Sequence, residues 1–268
     1  MNGILLACPL SDPRLTYAER VLTGAGLKIC YPERDLQVES CNAIVLPMPS
    51  KRFVEGNPHR LDALLNGSSP NAVIFASDGA YLEGLDVLKG HKIWDYSLDE
   101  DLLTINTVAT CEGAISLLIS QTTKTLRCSR VLITGWGRLA KCLFYMLKRL
   151  NADLTICARS PTARGEILSL GCECVDINNI YNPIKASDII VNTVPARLID
   201  GSKITFDLKE KLFLELASPP YGYDPCELSA LGARCVSAPA LPSRFAPESS
   251  GLAIGRAICR IISEGNII

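Results

Sequence analysis

A strand, a glycine-rich turn and a helix over residues 131–140 constrain the fold more than any other feature of the chain. The apolar run Val131-Leu132-Ile133-Thr134 leads into Gly135-Trp136-Gly137-Arg138-Leu139-Ala140, and apolar residues then recur at helical spacing. In a Gly-x-Gly-x-x-Ala turn the first glycine permits the bend, the second lets the backbone approach a pyrophosphate, and the small third residue keeps helix and strand close. The pattern predicts a dinucleotide-binding Rossmann domain, with a purely structural turn as the alternative. The predicted cofactor contacts here are Gly135, Trp136, Gly137, Arg138 and Leu139.

The end of the next predicted strand bears on which dinucleotide is bound. An NAD enzyme carries an acid at this position to bind the ribose 2′-hydroxyl, but this strand ends in Ala158-Arg159-Ser160. Arg159 can pair with a 2′-phosphate, and Ser160 can donate a hydrogen bond to it. The sequence therefore predicts NADP as the cofactor, with NAD as the alternative. A solvated surface arginine is the simpler explanation of Arg159.

Two later strand ends are expected to face the same crevice. The strand Ile189-Ile190-Val191 is followed by Asn192-Thr193-Val194-Pro195, which we predict to lie on the nicotinamide side of the cofactor. Ordinary turn residues are the alternative explanation of this segment. Leu216-Ala217-Ser218 follows the next strand and is expected at the same edge of the sheet.

Short apolar runs alternate with helical patterns in both halves of the chain, which is typical of parallel α/β sheets. We predict an α/β protein of two domains, an N-terminal flavodoxin-like parallel sheet and a C-terminal Rossmann domain. The first domain covers residues 1–107, and residues 108–249 form a hinge helix, starting near Thr110, and the Rossmann domain. The final helix, 250–268, is predicted to pack back on the first domain. The proline-rich stretch from Pro219 onward is predicted to be mainly loop.

Composition excludes several classes of function. There are 27 basic and 28 acidic residues among 268, so the net charge of −1 provides no general attraction for nucleic acid or an anionic membrane. No apolar stretch approaches the roughly 18 residues needed to cross a bilayer. The 12 cysteines are scattered without a CxxC pair and the 2 histidines lie far from any cysteine doublet, so no metal site is predicted. Such thiols are typical of a reducing cytoplasm.

A series of separated motifs runs through residues 106–255. They are Asn106-x-x-x-Thr110-x-Glu112-Gly113, the Gly135 turn with Arg138, Ala158-Arg159-Ser160, Asn192-Thr193-Val194-Pro195-Ala196, Leu216-Ala217-Ser218, and Ala238-Pro239-Ala240-Leu241-Pro242-Ser243-Arg244-Phe245-Ala246-Pro247 followed by Gly251. In this order and spacing they resemble the A-subunit family of dipicolinate synthase, within the broader group of D-2-hydroxyacid-dehydrogenase-like proteins.

The resemblance implies oxidation of dihydrodipicolinate to dipicolinate with NADP, together with the flavoprotein-like B-subunit of dipicolinate synthase, in the mother-cell cytoplasm of a spore-forming bacterium. It implies that Arg244, where the family usually has lysine or a similar residue, clamps a carboxylate of the small dicarboxylate substrate. Ser218 and Ser243 are the expected hydrogen-bond donors to the second carboxylate. Glu112 is the expected proton acceptor, unless it only stabilises the start of the hinge helix.

The chain also departs from the family pattern on the substrate side. Pro219-Pro220-Tyr221-Gly222 stands where the family commonly has a basic residue and two glycines, Glu215 replaces an aspartate, and Ser243 replaces a glycine. Two other functions therefore stay open. One is an NADP-dependent dehydrogenase or reductase of another small carboxylate, which the lack of any histidine after His91 counts against. The other is a regulatory, non-catalytic protein that binds NADPH. Formation of a homo-oligomer and closure of the domains about the hinge helix are further hypotheses.

Overall fold

The computed structural model describes residues 3–6, 12–31 and 41–265. The chain divides into unit 1, Met1–Asn106 with Pro242–Ile268, and unit 2, Thr107–Leu241. Each unit contains one parallel β-sheet. The strands of unit 1 are β1 (Gly3–Leu6), β2 (Lys28–Cys30), β3 (Cys41–Val45), β4 (Val73–Ala76) and β5 (Ile93–Asp95). Those of unit 2 are β6 (Arg130–Thr134), β7 (Asp153–Ala158), β8 (Glu173–Asp176), β9 (Ile189–Asn192), β10 (Leu212–Glu215) and β11 (Arg234–Ser237).

The α-helices connect these strands. In chain order they are α1 (Arg14–Gly24), α2 (Ser50–Gly56), α3 (Pro58–Asn66), α4 (Gly79–Leu82), α5 (Glu100–Gln121), α6 (Arg138–Arg149), α7 (Pro161–Ser169), α8 (Tyr181–Ala186), α9 (Pro225–Ala230), α10 (Leu241–Phe245) and α11 (Pro247–Gly265). Short 3₁₀ helices cover Asp86–Leu88, Tyr96–Leu98, Leu126–Cys128, Ile177–Asn179 and Gly201–Lys203.

The strand orders confirm the predicted fold class. Unit 1 has the order β2-β1-β3-β4-β5, which is the flavodoxin-like order, and unit 2 has the order β8-β7-β6-β9-β10-β11, which is the Rossmann order. The order in unit 2 reverses between β6 and β9. Ligands of open α/β sheets bind outside the carboxyl ends of the strands at such a switch point. The loops that follow β6 and β9 are therefore the first place to look for a site.

The last helix, α11, packs along α1 within unit 1. A Cβ atom at Gly251 would lie 2.2 Å from the carbonyl oxygen of Arg14, so the two helices touch backbone to backbone there. Further along α11, the Arg260 guanidinium forms an ion pair with Asp99 at 2.5 Å. The division between the units after Leu241 places Ser243 and Arg244 in unit 1. The boundary predicted from the sequence was residue 249.

Several local predictions were wrong. The stretch after Pro219 is not mainly loop, since it contains α9, β11 and α10. Pro225 and Pro247 are the first residues of α9 and α11, a position where proline costs no hydrogen bond because the first N–H groups of a helix have no partner within it. The short strands β5 and β8 were not predicted either. The predicted first strand included Ala7, which lies outside the described residues.

Helix α5 corrects two expectations. The hinge helix begins at Glu100 rather than near Thr110, so Glu112 lies in its middle and cannot act at its start. By length and apolar composition α5 is also the one helix of the described residues that could cross a membrane, whereas no such stretch was expected from the sequence. Its side chains Cys111, Ala114 and Leu118 are buried in the core of unit 2, as in the core helix of a folded domain.

Candidate active site at the carboxyl ends of the unit 2 strands

The turn after β6 bends at Gly135 in a conformation that other residues avoid. Its φ is +91°, and its N–H donates a hydrogen bond of 2.7 Å to the carbonyl oxygen of Cys157 on the neighbouring strand. A Cβ atom at this position would lie 2.8 Å from Val194 Cγ2 and 2.9 Å from Thr193 Oγ1. The glycine is therefore required by both the backbone and the packing of the loop after β9.

Gly137, two residues later, is in a different situation. Its φ is −84°, it is exposed, and a Cβ atom there would meet nothing within 4 Å. It is the N-cap of α6, and no cap side chain accepts a hydrogen bond from the first N–H groups, which have no partner within a helix; that turn also holds no acidic residue. Open space at Gly137 in front of a positive helix end suits a pyrophosphate. The turn thus fits the predicted dinucleotide.

Trp136 is held between the two glycines by its neighbours. Its ring packs edge-on against Phe144 at a centroid distance of 5.3 Å, and Lys141 Nζ lies 5.6 Å from its centroid. Lys141 also forms an ion pair of 2.8 Å with Glu166 on α7. The hydrogen bond from Lys141 lowers the pKa of Glu166. These contacts hold the Trp136 indole in place, and with it the loop between β6 and α6.

The tip of β7 carries the two residues predicted to select the cofactor. Arg159 and Ser160 are both exposed. Ser160 is the N-cap of α7, and its side-chain oxygen accepts a hydrogen bond of 3.4 Å from the N–H of Ala163. Arg159 therefore stands exposed at the end of β7, the strand end next to which the adenosine ribose lies in Rossmann domains.

The loop after β9 is tied to β6 by polar side chains. Thr193 Oγ1 donates a hydrogen bond of 2.6 Å to the carbonyl oxygen of Thr134, and the Thr134 hydroxyl donates one of 2.5 Å to Asn192 Oδ1. Asn192 is fully buried, and Oδ1 also accepts from the N–H of Val194. Its Nδ2 donates to the carbonyl oxygen of Val194 and to Glu215. Both ends of the Asn192 amide are thus used inside the protein.

The Asn192 side chain therefore positions the loop, and the predicted contact of this residue with the cofactor stays a prediction. Thr193 and Val194 are half-buried, and Pro195 is exposed at the strand end. The alternation of strand side chains could not reveal this, because the amide turns inward to meet a carboxylate on β10.

That carboxylate, Glu215, entered the sequence-based expectations only as a departure from the family pattern. It is 5% exposed and accepts hydrogen bonds from Asn192 Nδ2 at 2.6 Å, from Ala217 N at 2.9 Å and from Gly222 N at 2.9 Å. Burial raises the pKa of Glu215, against the lowering effect of these three bonds. A charged residue inside the apolar run Leu212-Phe213-Leu214-Glu215-Leu216 was the available signal. Glu215 holds the ends of β9 and β10 and the following loop in register.

The predicted catalytic residues are distributed between the two units. Ser218 is exposed just after β10, at the same sheet edge as the Gly135 turn, and Glu112 is exposed on α5 of unit 2. Ser243 is half-buried and Arg244 is exposed on α10, with the Arg244 guanidinium 5.7 Å from the centroid of Phe245. Unit 2 therefore brings together the predicted cofactor residues and Ser218. Within residues 3–6, 12–31 and 41–265, no three His, Cys, Asp or Glu side chains are grouped so that they could hold a metal ion.

Comparisons with known proteins confirm the resemblance given by the motifs. The chain is 27% identical over 201 residues to the dipicolinate synthase A-subunit of Bacillus subtilis, covering 75% of this chain and 68% of that protein. The crystal structure of the dipicolinate synthase A chain from Bacillus subtilis matches with a TM-score of 0.77 at 23% identity, over 98% of this chain and 96% of the other. That of the dipicolinate synthase A-subunit from Bacillus halodurans matches with a TM-score of 0.80 at 17% identity, over 98% of both chains.

The same fold occurs in dehydrogenases. A D-isomer-specific 2-hydroxyacid dehydrogenase from Xanthobacter autotrophicus, in complex with NADPH and MES, matches with a TM-score of 0.55 at 16% identity, over 98% of this chain and 95% of the other. No protein-family model matches the chain.

Proposed function

We propose that this chain is an NAD(P)-dependent oxidoreductase that oxidises dihydrodipicolinate to dipicolinate, with NADP as the hydride acceptor and NAD as the alternative. The observation that carries the proposal is the open, uncapped N-terminus of α6 behind Gly137, at the switch point of a Rossmann sheet. The substrate is assigned because the motifs and the 27% identical relative both point to the A-subunit of dipicolinate synthase.

The residues present fit the cofactor along the whole sheet edge. Gly137 and the first N–H groups of α6 would hold the pyrophosphate, and Arg159 and Ser160 would hold a 2′-phosphate. Thr193 and Val194 would lie on the nicotinamide side, positioned by Asn192 and Glu215 from below. When bound, the nicotinamide ring supplies the acceptor for a hydride.

The reaction makes modest demands on the protein. Dihydrodipicolinate would lose one hydride to the bound nicotinamide and one proton to a base, and its ring would become aromatic. The aromatic product is the driving force, so the chain has to bind a dianion, orient it and accept a proton. We assign Arg244 to one carboxylate, because its planar fork matches two oxygens, and Ser218 and Ser243 to the other. Glu112 is the proposed proton acceptor.

The same resemblance supplies the proposed partner and location. The flavoprotein-like B-subunit of dipicolinate synthase is the proposed partner, and the cytoplasm of the mother cell of a sporulating bacterium is the proposed location.

The test has two stages. Binding of NADPH and NADH is first measured by calorimetry on the wild type, on Arg159→Ala and on Arg149→Ala. The control, Arg149, is an exposed arginine in the last turn of α6, at the opposite end of that helix from the Gly135 turn. We expect Arg159→Ala to weaken NADPH binding at least about tenfold and Arg149→Ala to leave it unchanged. Preference of the wild type for NADH would refute the choice of NADP.

The second stage measures turnover. Dihydrodipicolinate generated in situ is incubated with the wild type and NADP, with and without the flavoprotein-like partner, while dipicolinate and NADPH are quantified. Equal amounts of the two products are expected. Bound nucleotide without any dipicolinate, even with that partner present, would refute the substrate and favour a different small carboxylate or a regulatory role.

A further inference from the structure

A second arginine lies at the tip of β7, beside the two residues assigned to the 2′-phosphate. Arg164 stands one helical turn after Ser160 on α7. Its Nη1 donates to the carbonyl oxygen of Arg159 at 2.7 Å and to that of Ala158 at 3.2 Å. The guanidinium is therefore folded back over the last two residues of the strand tip rather than extended into solvent.

The same nitrogen forms an ion pair with an acid on the next strand. Arg164 Nη1 lies 2.7 Å from Asp176 Oδ2, at the end of β8. The side chain of Arg164 is 25% exposed and that of Asp176 is 31% exposed, so the pair is accessible from solvent. Among the described residues, Nε and Nη2 of Arg164 have no hydrogen-bond acceptor. Asp176 and the two carbonyls therefore fix the guanidinium through one nitrogen and leave the other two available.

The charges at this tip show why a second arginine matters. A phosphate monoester carries about two negative charges at neutral pH. Arg159 and Arg164 contribute two positive charges and Asp176 one negative charge, so the tip has a net charge of +1. Without Arg164, the Asp176 carboxylate would cancel the charge of Arg159 and repel the phosphate.

We propose that Arg164 is a second, directly contacting ligand of the 2′-phosphate of NADP(H), held in position by Asp176. The proposal rests on the proposed function, because it requires that the nucleotide with the extra phosphate is the natural one. It makes the short sequence Arg159-Ser160-x-x-x-Arg164 a phosphate-binding unit rather than Arg159 alone.

The test is a double-mutant cycle with both nucleotides. NADPH and NADH affinities are measured by calorimetry for the wild type, Arg164→Gln, Asp176→Asn and the double variant. We expect Arg164→Gln to weaken NADPH binding about 10- to 100-fold, while NADH binding changes less than about threefold. Asp176→Asn keeps an amide oxygen that can accept from Arg164 but removes the negative charge, so NADPH binding should stay equal or become slightly tighter. The double variant should stay at least about tenfold weaker than the wild type for NADPH.

Three results would overturn the proposal. Recovery of wild-type NADPH affinity in the double variant would mean that Arg164 only neutralises Asp176. An equal loss of affinity for NADPH and NADH would mean that Arg164 supports the fold of the tip. Arg164→Lys, which keeps the charge, checks this with a milder change. A wild type that prefers NADH fails at the first measurement, and that failure belongs to the cofactor choice in the proposed function.

Discussion

The two glycines of the turn after β6 are expected to respond to alanine in opposite ways. At Gly135 the added methyl group would meet Val194 and Thr193 at 2.8 and 2.9 Å, and the φ of +91° is unfavourable for alanine. The left-handed conformation costs about 1–2 kcal/mol, and forcing a methyl group into a packed site costs about 1–3 kcal/mol. Gly135→Ala should therefore lower the free energy of unfolding by about 2–5 kcal/mol.

Gly137→Ala should leave stability almost unchanged. Its methyl group would enter open space at an ordinary φ of −84°. A poorer N-cap costs about 1 kcal/mol, and the smaller entropy of the unfolded chain returns about 0.4–1 kcal/mol. The methyl group would, however, stand where the pyrophosphate approaches the backbone. We expect nucleotide affinity to fall by about 2 kcal/mol, roughly 30-fold, from overpacking against the phosphate.

The assay combines urea unfolding with calorimetric titration of NADPH. Gly24→Ala, at the end of α1, is the matched control, because a Cβ atom there also meets nothing within 4 Å. Gly24→Ala should leave NADPH affinity unchanged and should change the free energy of unfolding by no more than about 1 kcal/mol. If Gly137→Ala binds NADPH as tightly as the wild type does, no pyrophosphate lies against this turn and the reasoning for the whole site fails.

Four further predictions concern the strand ends and the substrate residues. Asn192→Ala removes a buried side chain that joins β9 to Thr134 and Glu215. In urea unfolding it should lower the free energy of unfolding by about 2–4 kcal/mol, whereas Thr193→Ala should lower it by about 1 kcal/mol. Burial raises the pKa of Glu215 above its ordinary 4.5, so the stability that this side chain contributes is present below pH 4.5 and is lost as the pH rises through the raised pKa. The difference in unfolding free energy between the wild type and Glu215→Gln should therefore decline as the pH rises above 4.5. A rise of that difference would contradict the assignment. Arg244→Lys should raise KM for the dicarboxylate about tenfold with no change in NADPH affinity, since an ammonium group cannot bind two oxygens in a fork. Glu112→Gln should lower kcat at least about 100-fold with unchanged nucleotide binding if Glu112 accepts the proton, and full activity would remove it from the mechanism.

The sequence predicts best what depends on a few neighbouring residues. The Gly135 turn needs only a strand before it and a helix after it, and both are where the apolar pattern places them. The position of Arg159 at a strand tip follows in the same way, since carboxyl ends of parallel strands share one edge of the sheet. Prediction fails for short strands such as β5, whose residues Ile93, Trp94 and Asp95 are too few to show a periodic pattern. It also fails for proline-rich segments in which proline begins a helix.

The direction of a polar side chain at a strand end is harder to predict, because it depends on a partner far along the chain. Asn192 and Glu215 lie on adjacent strands in direct register, and neither is interpretable without the other. From the sequence alone, Asn192 is interpreted as a ligand contact and Glu215 as a substitution in a motif. Together they form a buried hydrogen-bonded pair.

The same pair connects the two halves of the candidate site. The loop after β9 packs on Gly135 through Val194 and Thr193, and it is held from below by Asn192. A displacement of that loop would therefore act on the bend that precedes the proposed pyrophosphate site. Because Gly135 leaves no space for a side chain, the loop and the bend are closely packed on each other. In the proposed function, one hydrogen-bonded and packed network would position both the nicotinamide side and the phosphate side of the cofactor, and the buried carboxylate of Glu215 joins β9, β10 and the following loop in that network.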